Sequence, residues 1–212
     1  MEREVNRVGF RKYLKEKYGC NEPIYVDEIQ YDGYSRPWIF KELKKLVDSG
    51  ELKRFSSGVY YFPTKMFFGD SFLDPRKVVQ KRFLGSGDEV YGYVAGLSLL
   101  NQAGLSTQMP NMLELVTNNE STRVRDINVG PQLVRARRAR TAITKQNVNA
   151  LQCLDLMSSI TPGNMDDTER FMLRKFMKDA GVTREDIMQY AGLFPARAMK
   201  NMMESGVAYD LA

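Results

Sequence analysis

No part of the chain leaves fewer folding options than the stretch from Ser35 to Phe62, a helical pattern that stops at a glycine and runs at once into two short strand patterns. Ile39, Leu43, Leu46 and Val47 recur at i, i+4, i+7 and i+8, which places them on one stripe of a 3.6-residue helix. Ser35 is expected to cap that helix, its hydroxyl accepting from a free backbone N–H of the first turn, and Pro37 sits where a missing N–H costs nothing. Gly50 ends it. The opposite face carries Arg36, Trp38, Lys41, Lys44 and Lys45 and reads as almost uniformly cationic. Glu51 to Phe55 and Val59 to Phe62 then read as strands, joined by Ser56-Ser57-Gly58, the composition of a tight hairpin turn.

Upstream, Val5, Val8, Tyr13 and Leu14 give a first helix over Glu4 to Tyr18 its buried side, and Gly19 stops it. Ile24-Tyr25-Val26 reads as a short strand, Asp27 as the cap of a brief helix through Gln30, and Tyr31 to Tyr34 as a turn. Helix, short helix, turn, basic helix and hairpin is the order of a winged helix-turn-helix, expected here over residues 1–65. Such a domain lays its second main helix in the major groove of duplex DNA, which is wide enough to admit it and carries an unambiguous pattern of donors and acceptors. On this reading Ser35 opens the recognition helix, and Arg36 and Lys41 reach base edges or adjacent phosphates. Lys44 and Lys45 meet backbone phosphates, and Lys53, Arg54, Ser56 and Ser57 form the wing. A lysine-rich helix is more often a solvated face; the hairpin directly behind this one favours DNA. Trp38 is open to two readings, burial against the first helix or contact with DNA.

The composition fits this and excludes much else. Among 212 residues there is no histidine, which removes Ser-His-Asp and Cys-His nucleophiles, H-E-x-x-H zinc sites and most transition-metal centres together. Cys20 and Cys153 lie far apart with no metal-ligand spacing and fit reduced, buried thiols in a cytoplasmic protein. Apolar runs are only a few residues long and the opening Met1-Glu2-Arg3-Glu4 precedes no apolar region, so neither a membrane span nor a signal peptide is expected. A net charge of +5 points to an anionic partner. Asp166, Asp167 and Glu169 are available to a metal-dependent enzyme, yet they stand where helix-start charges normally stand. No catalytic residue, cofactor or metal site is assigned.

Residues 66–88 read as a connecting helix with its flanking turns. Met66 to Ser71 is aromatic and is expected to pack at the domain junction, a helix starts at Asp74-Pro75 with Val78, Val79, Phe83 and Leu84 inward, and Gly85-Ser86-Gly87 is a hinge. Residues 89–212 form the second domain. Val90 to Leu105 is an apolar helix or a strand running into one, with glycines that signal close approach of another backbone. Met112 to Thr117, Arg123 to Val129 and Leu133 to Ala139 alternate as strands, and from Thr144, a candidate cap, the chain is helical. Val148, Leu151, Leu154 and Met157 face inward on the first of these helices, Phe171, Met172 and Phe176 on the second; Thr183 and Pro195 open two more. The many methionines fit core filling or an adaptable partner surface. The fold class is α+β: a winged helix-turn-helix followed by a mixed α/β domain with a small sheet and a helical C-terminal part.

The apolar glycine-rich segment, then Gly104-Leu105-Ser106-Thr107-Gln108-Met109-Pro110 and the strand into Thr117-Asn118, following such an N-terminal domain, resembles the AbiEi-type antitoxins of bacterial abortive-infection toxin-antitoxin systems. The resemblance spans about Ile24 to Ser205, its helical tail by pattern alone. It implies a repressor that binds inverted repeats in its own promoter and an antitoxin that counteracts a nucleotidyltransferase-like toxin without forming a stable complex with it; it implies no catalytic residues. The alternative is a winged-helix transcriptional regulator whose second domain senses a ligand or a protein, with no toxin partner. Arg135, Arg137, Arg138 and Arg140 go beyond the family pattern. They read either as the charges of an edge strand or extended arm or as a second set of phosphate contacts with DNA.

Overall fold

A computed structural model describes residues 2–211, with side chains from Gly9 to Leu211, so the inward positions expected at Val5 and Val8 lie outside the described side chains. The fold is α+β. The chain divides into two units, Met1–Lys81 and Arg82–Ala212, a division that falls inside the segment 66–88 expected to be a connector.

In the first unit the helices α1 (Glu2–Tyr18) and α2 (Arg36–Asp48) share a core with a three-stranded antiparallel sheet, β1 (Ile24–Tyr25), β2 (Lys53–Ser56) and β3 (Val59–Tyr61), in the order β1-β3-β2. Phe10 and Leu14 from α1, Ile39, Leu43 and Leu46 from α2, and Ile24, Leu52 and Phe62 are all buried in it. The brief helix expected after Asp27 is instead one 3₁₀ turn, Val26–Glu28, and Asp27 lies inside it rather than capping it. Gly50 takes a φ of 73° as α2 ends, and the N–H groups of Glu51 and Leu52 both donate to Leu46 O, which fixes where the hairpin leaves the helix.

The cap expected at Ser35 does not form: its side chain makes no capping hydrogen bond. An N-cap hydroxyl bonds the N–H of the second or third helical residue, and the second is Pro37, which has none. Two other helix starts are capped in full. Asp166 accepts from Glu169 N at 2.8 Å, Thr183 accepts from Asp186 N at 3.2 Å, and each acidic partner accepts from its cap's own N–H in return. Asp166→Ala and Thr183→Ala are therefore expected to lower the unfolding free energy by about 0.5–2 kcal/mol each, and Ser35→Ala by no more than a few tenths. Urea denaturation of the three variants checks this.

After β3 the chain forms a second, smaller hairpin, β4 (Lys65–Met66) and β5 (Gly69–Asp70). The junction packing expected for this aromatic segment is not observed: Phe67 and Phe68 are 95% and 97% exposed, and Met66 and Phe72 are exposed as well. The anchoring lies at the hairpin's base. Asp70 receives Lys53 at 3.0 Å and Lys65 at 2.6 Å, and those two ammonium groups hold its carboxyl below the ordinary carboxylate range. Ser71 exchanges hydrogen bonds with Thr64 and Asn21. With polar bonds holding the base, nothing requires the aromatic tip to be buried. The helix expected from Asp74 forms as α3 (Pro75–Val79), capped by the Asp74 side chain, and continues as a π-helical turn, Gln80–Leu84.

In the second unit the expected hinge is a small hairpin, β6 (Gly85–Ser86) with β7 (Glu89–Val90). The apolar segment behind it resolves into β8 (Gly92–Ala95) running into α4 (Gly96–Gln102). β9 (Leu113–Thr117), β10 (Val124–Val129) and β11 (Gln132–Arg138) lie within a residue or so of the alternating segments. They form one four-stranded sheet with β8 in the order β10-β11-β9-β8, in which β11 runs parallel to β9 and the other pairs are antiparallel. The arginine-bearing strand is thus not an edge or an arm. Val134 and Ala136 are fully buried on one side of β11, Arg135 and Arg137 alternate to the other, and the strand ends at Arg138, before Arg140.

Helices α5 (Val148–Ser159), α6 (Asp167–Asp179), α7 (Arg184–Ala191) and α8 (Ala196–Glu204) complete the unit. α5 is its centre: Leu151, Cys153, Leu154, Leu156 and Met157 are buried in a core with Tyr93, Ala95, Val116, Leu173, Ile187 and Met202. Burial pushes the Cys153 thiol up to about 12. The residue before α5 is Asn147, not Thr144; Thr144 contributes its carbonyl, and its N–H donates to Asn147 Oδ1 at 2.8 Å. On α6 the buried positions are Leu173 and Met177, with Phe171 and Met172 exposed and Phe176 half-buried, so the inward stripe is rotated from the expected one. The methionines divide: Met157, Met177 and Met202 fill core, while Met109, Met188 and Met203 are exposed. Among the described residues no helix is long and apolar enough to cross a membrane.

Candidate nucleic-acid interface

Burial of Ile39, Leu43 and Leu46 turns Pro37, Lys41, Lys44 and Asp48 outward as a stripe at helical spacing, with Arg36 and Phe40 beside it. The charge on this face is smaller than its residue count. Arg36 is held at 2.5 Å by Asp27, and Lys45 pairs with Glu42, which is itself buried. Lys41 and Lys44 have no ion pair among the described residues. The Arg36 pair is exposed on both sides, a kind of pair worth little in water, so Arg36 is free to exchange Asp27 for a phosphate. Lys45 is less free, because its departure would leave Glu42 buried alone.

Trp38 is half-buried in an aromatic cluster, its ring centroid 4.0 Å from Tyr34, 5.2 Å from Phe10 and 5.9 Å from Tyr31. Of its two readings, packing is the one with partners in this structure. Phe40, about half exposed beside Lys41 and Lys44, was not singled out from the sequence. Its signal is present there: an aromatic residue one place off the apolar stripe. In a major groove such a ring meets thymine methyl groups. Along the hairpin, Lys53 is engaged by Asp70, Arg54 is exposed with its Nε donating to Ser56 O at 3.2 Å, and Ser57 is exposed at the turn beside Gly58, whose φ is 73°. Ser56 is half-buried and in register with Val59 after a bulge. Lys41, Lys44 and Arg54 are therefore the cations of this unit's expected set that no carboxylate neutralises among the described residues.

No family model matches the chain, and no curated protein does.

The second unit separates the four arginines. Arg135 is committed, giving Nε and Nη2 to the two oxygens of Asp126 on β10, both at 2.8 Å. Those bonds hold the Asp126 carboxyl below its ordinary value. Arg137 sits in a cross-strand row, Val124–Arg137–Val116–Tyr93, set by the register of β10, β11, β9 and β8. This row helps to line a pocket of about 370 Å³ that Arg138 and Arg140 also reach. Two further lining residues were not selected from the sequence, Arg123 just before β10 and Asp155 on α5. Asp155 does carry a sequence signal, as a carboxylate four residues after Leu151 on an apolar helix, and it receives Arg137 Nη2 at 2.6 Å. Among the described residues no group of three or more potential ligands is placed to hold a metal ion, and Asp166 and Glu169 are the two halves of a capping box.

Proposed function

We propose that residues 1–65 are a winged helix-turn-helix that binds duplex DNA through the outer face of α2, with β2 and β3 as the wing, and that the chain is not an enzyme but represses its own promoter. The observation that carries this reading is the unneutralised pair Lys41 and Lys44 on the exposed stripe of α2, in a unit where the antiparallel hairpin β2–β3 follows that helix directly in the chain. The antitoxin role, acting against a nucleotidyltransferase-like toxin without a stable complex, rests on the resemblance of Gly104 to Pro110 and its flanking segments to AbiEi-type antitoxins. A second reading, a regulator whose second unit senses a ligand, is favoured by one observation: the arginine-lined pocket of that unit.

The test is fluorescence anisotropy with duplex from the gene's own upstream region. Lys41→Glu and Lys44→Glu are each expected to weaken binding roughly ten-fold or more at moderate salt, and to reduce the slope of log K against log salt by about 0.9 for each phosphate that is no longer neutralised. Lys178→Glu, on the exposed side of α6, is the control. Equal weakening in all three variants, or no preference of the parent protein over random duplex, removes the DNA reading. Co-expression with the neighbouring gene tests the antitoxin half, and undiminished killing removes it.

A further inference from the structure

We propose that the pocket of the second unit binds an organic phosphate monoester, its phosphate held by the guanidinium groups of Arg123, Arg137, Arg138 and Arg140. The inference deepens the ligand-sensing reading and rests on it for its consequence, though binding itself is measured separately. The volume, about 370 Å³, lies at the small end of the range of small-molecule sites. Four guanidinium groups line it against one carboxylate, Asp155, so it carries positive charge in excess of what a single carboxylate ligand would neutralise. A phosphate monoester supplies a dianion with three acceptor oxygens, the chemistry that guanidinium forks match.

The donors are only partly used. Arg137 gives Nη2 to Asp155, but its Nε is buried with no acceptor among the described residues. Arg138 and Arg140 spend one Nη1 each on backbone oxygens, of Ser121 at 3.4 Å and of Leu193 at 3.1 Å, and Arg123 has no ion pair among the described residues. Each guanidinium has five N–H donors, so most remain. Tyr93 adds an independent observation: it is 6% exposed, lines the pocket, and its hydroxyl has no hydrogen-bond partner among the described residues. Burial and the Asp155 carboxylate push that phenol's pKa up, against the pull of Arg137 and Arg140, so it is a neutral donor facing an otherwise cationic space. The Tyr93 hydroxyl is thus a donor open to the pocket, available to a phosphate oxygen beside the remaining guanidinium N–H groups. Val116, Val124 and Ala139 give the organic part an apolar wall. A duplex fits less well, because its phosphates ride on a convex backbone that does not enter a concavity to meet a side chain as buried as Tyr93. The one arginine of the cluster outside the pocket, Arg135, has both partner oxygens already in place.

Isothermal titration of the full chain with inorganic phosphate, glycerol 3-phosphate, ribose 5-phosphate and a nucleoside 5′-monophosphate tests the assignment. One-to-one binding is expected, with at least one ester tighter than inorganic phosphate. The Arg123→Ala/Arg138→Ala variant removes two exposed arginines, neither ion-paired nor stacked on a ring among the described residues, so its affinity is expected to drop roughly ten-fold or more at a little-changed melting temperature. Arg135→Ala should stay within about two-fold, since Arg135 does not line the pocket. No binding of any of the four probes at millimolar concentration overturns the proposal, as does an equal drop in Arg135→Ala. Inorganic phosphate binding as tightly as every ester would assign the pocket to the free ion, and displacement of bound phosphate by unphosphorylated duplex would make the arginines a nucleic-acid surface. Binding that leaves DNA affinity unchanged would retain the pocket and discard the sensing reading.

Discussion

Gly92→Ala is expected to cost the second unit more than about 4 kcal/mol, a loss that single substitutions reach only through a severe and identifiable fault. A Cβ on Gly92 would stand 2.0 Å from Phe83 O and 2.8 Å from Val116 O. Both are backbone atoms, so no side-chain rotation relieves the clash. β8 would have to move off β9, and Gly92↔Thr117 and Tyr93↔Val116 would lose register together. With them the packing of Tyr93 and Ala95 against the core around α5 would loosen. The requirement is for space, not for an unusual backbone conformation, because Gly92 does not have a positive φ. Gly163→Ala is the matched control: it too lacks a positive φ, nothing lies within 4 Å of its added Cβ, and its effect should be within about 0.5 kcal/mol of zero. Urea denaturation followed by circular dichroism measures both. A Gly92→Ala protein within about 1 kcal/mol of the parent would mean that β8 and the Phe83 carbonyl are not so close.

Gly92 also shows how far the sequence carried the fold. The glycines of Val90 to Leu105 signalled close approach of a backbone, but nothing in them said which backbone, and a four-residue apolar strand has too few turns of pattern to be told from a helix start. β9, β10 and β11 were legible because each alternates long enough, and α5 because its apolar spacing persists over three turns. What failed did so through tertiary choice or local chemistry. α6 has two adjacent apolar stripes, Phe171 and Met172 beside Leu173 and Met177, and only packing decides which is buried. At Ser35 the right residue type precedes a proline that removes one of its two hydrogen-bond partners. At Phe67 and Phe68, aromatic character suggested burial, while the polar bonds that anchor the hairpin come from Asn21, Thr64 and Asp70 at scattered positions.

The site divides in the same manner. That Lys45 would be neutralised was legible in principle, since Glu42 lies three residues before it on the same helix. The Arg36–Asp27 and Arg135–Asp126 pairs each join residues nine apart, and they depend on a 3₁₀ turn and on a strand register that composition does not reveal. The pocket was less legible still, because its floor is one row drawn from four strands. The arginine run was conspicuous in the sequence, but its division into one committed and three convergent side chains follows from register: Arg135 stands opposite Asp126 on β10, whereas Arg137, on the same face, stands opposite Val124.

Arg137→Met is expected to be the costliest removal of a charge in the second unit, lowering the unfolding free energy by about 3 kcal/mol, the lower end of what losing one partner of a buried ion pair costs. The lower end applies because Arg137 keeps a quarter of its side chain in solvent, whereas Asp155 is 5% exposed on the helix at the centre of the core. Without the guanidinium, the carboxylate stays buried beside Leu151 and Leu154 with its main partner gone. Arg137→Met/Asp155→Leu removes both charges and should recover most of the loss, since replacing a buried pair by apolar groups is often near neutral. A double variant as unstable as the single one would show that the pair does not carry the effect. The two variants also separate the two roles of this arginine. Stability should fall in the single variant and return in the double, while phosphate affinity should fall in both, because neither retains the guanidinium that helps to line the pocket. A phosphate affinity that returned with stability in the double variant would mean that Arg137 serves the pocket only by holding α5 in place.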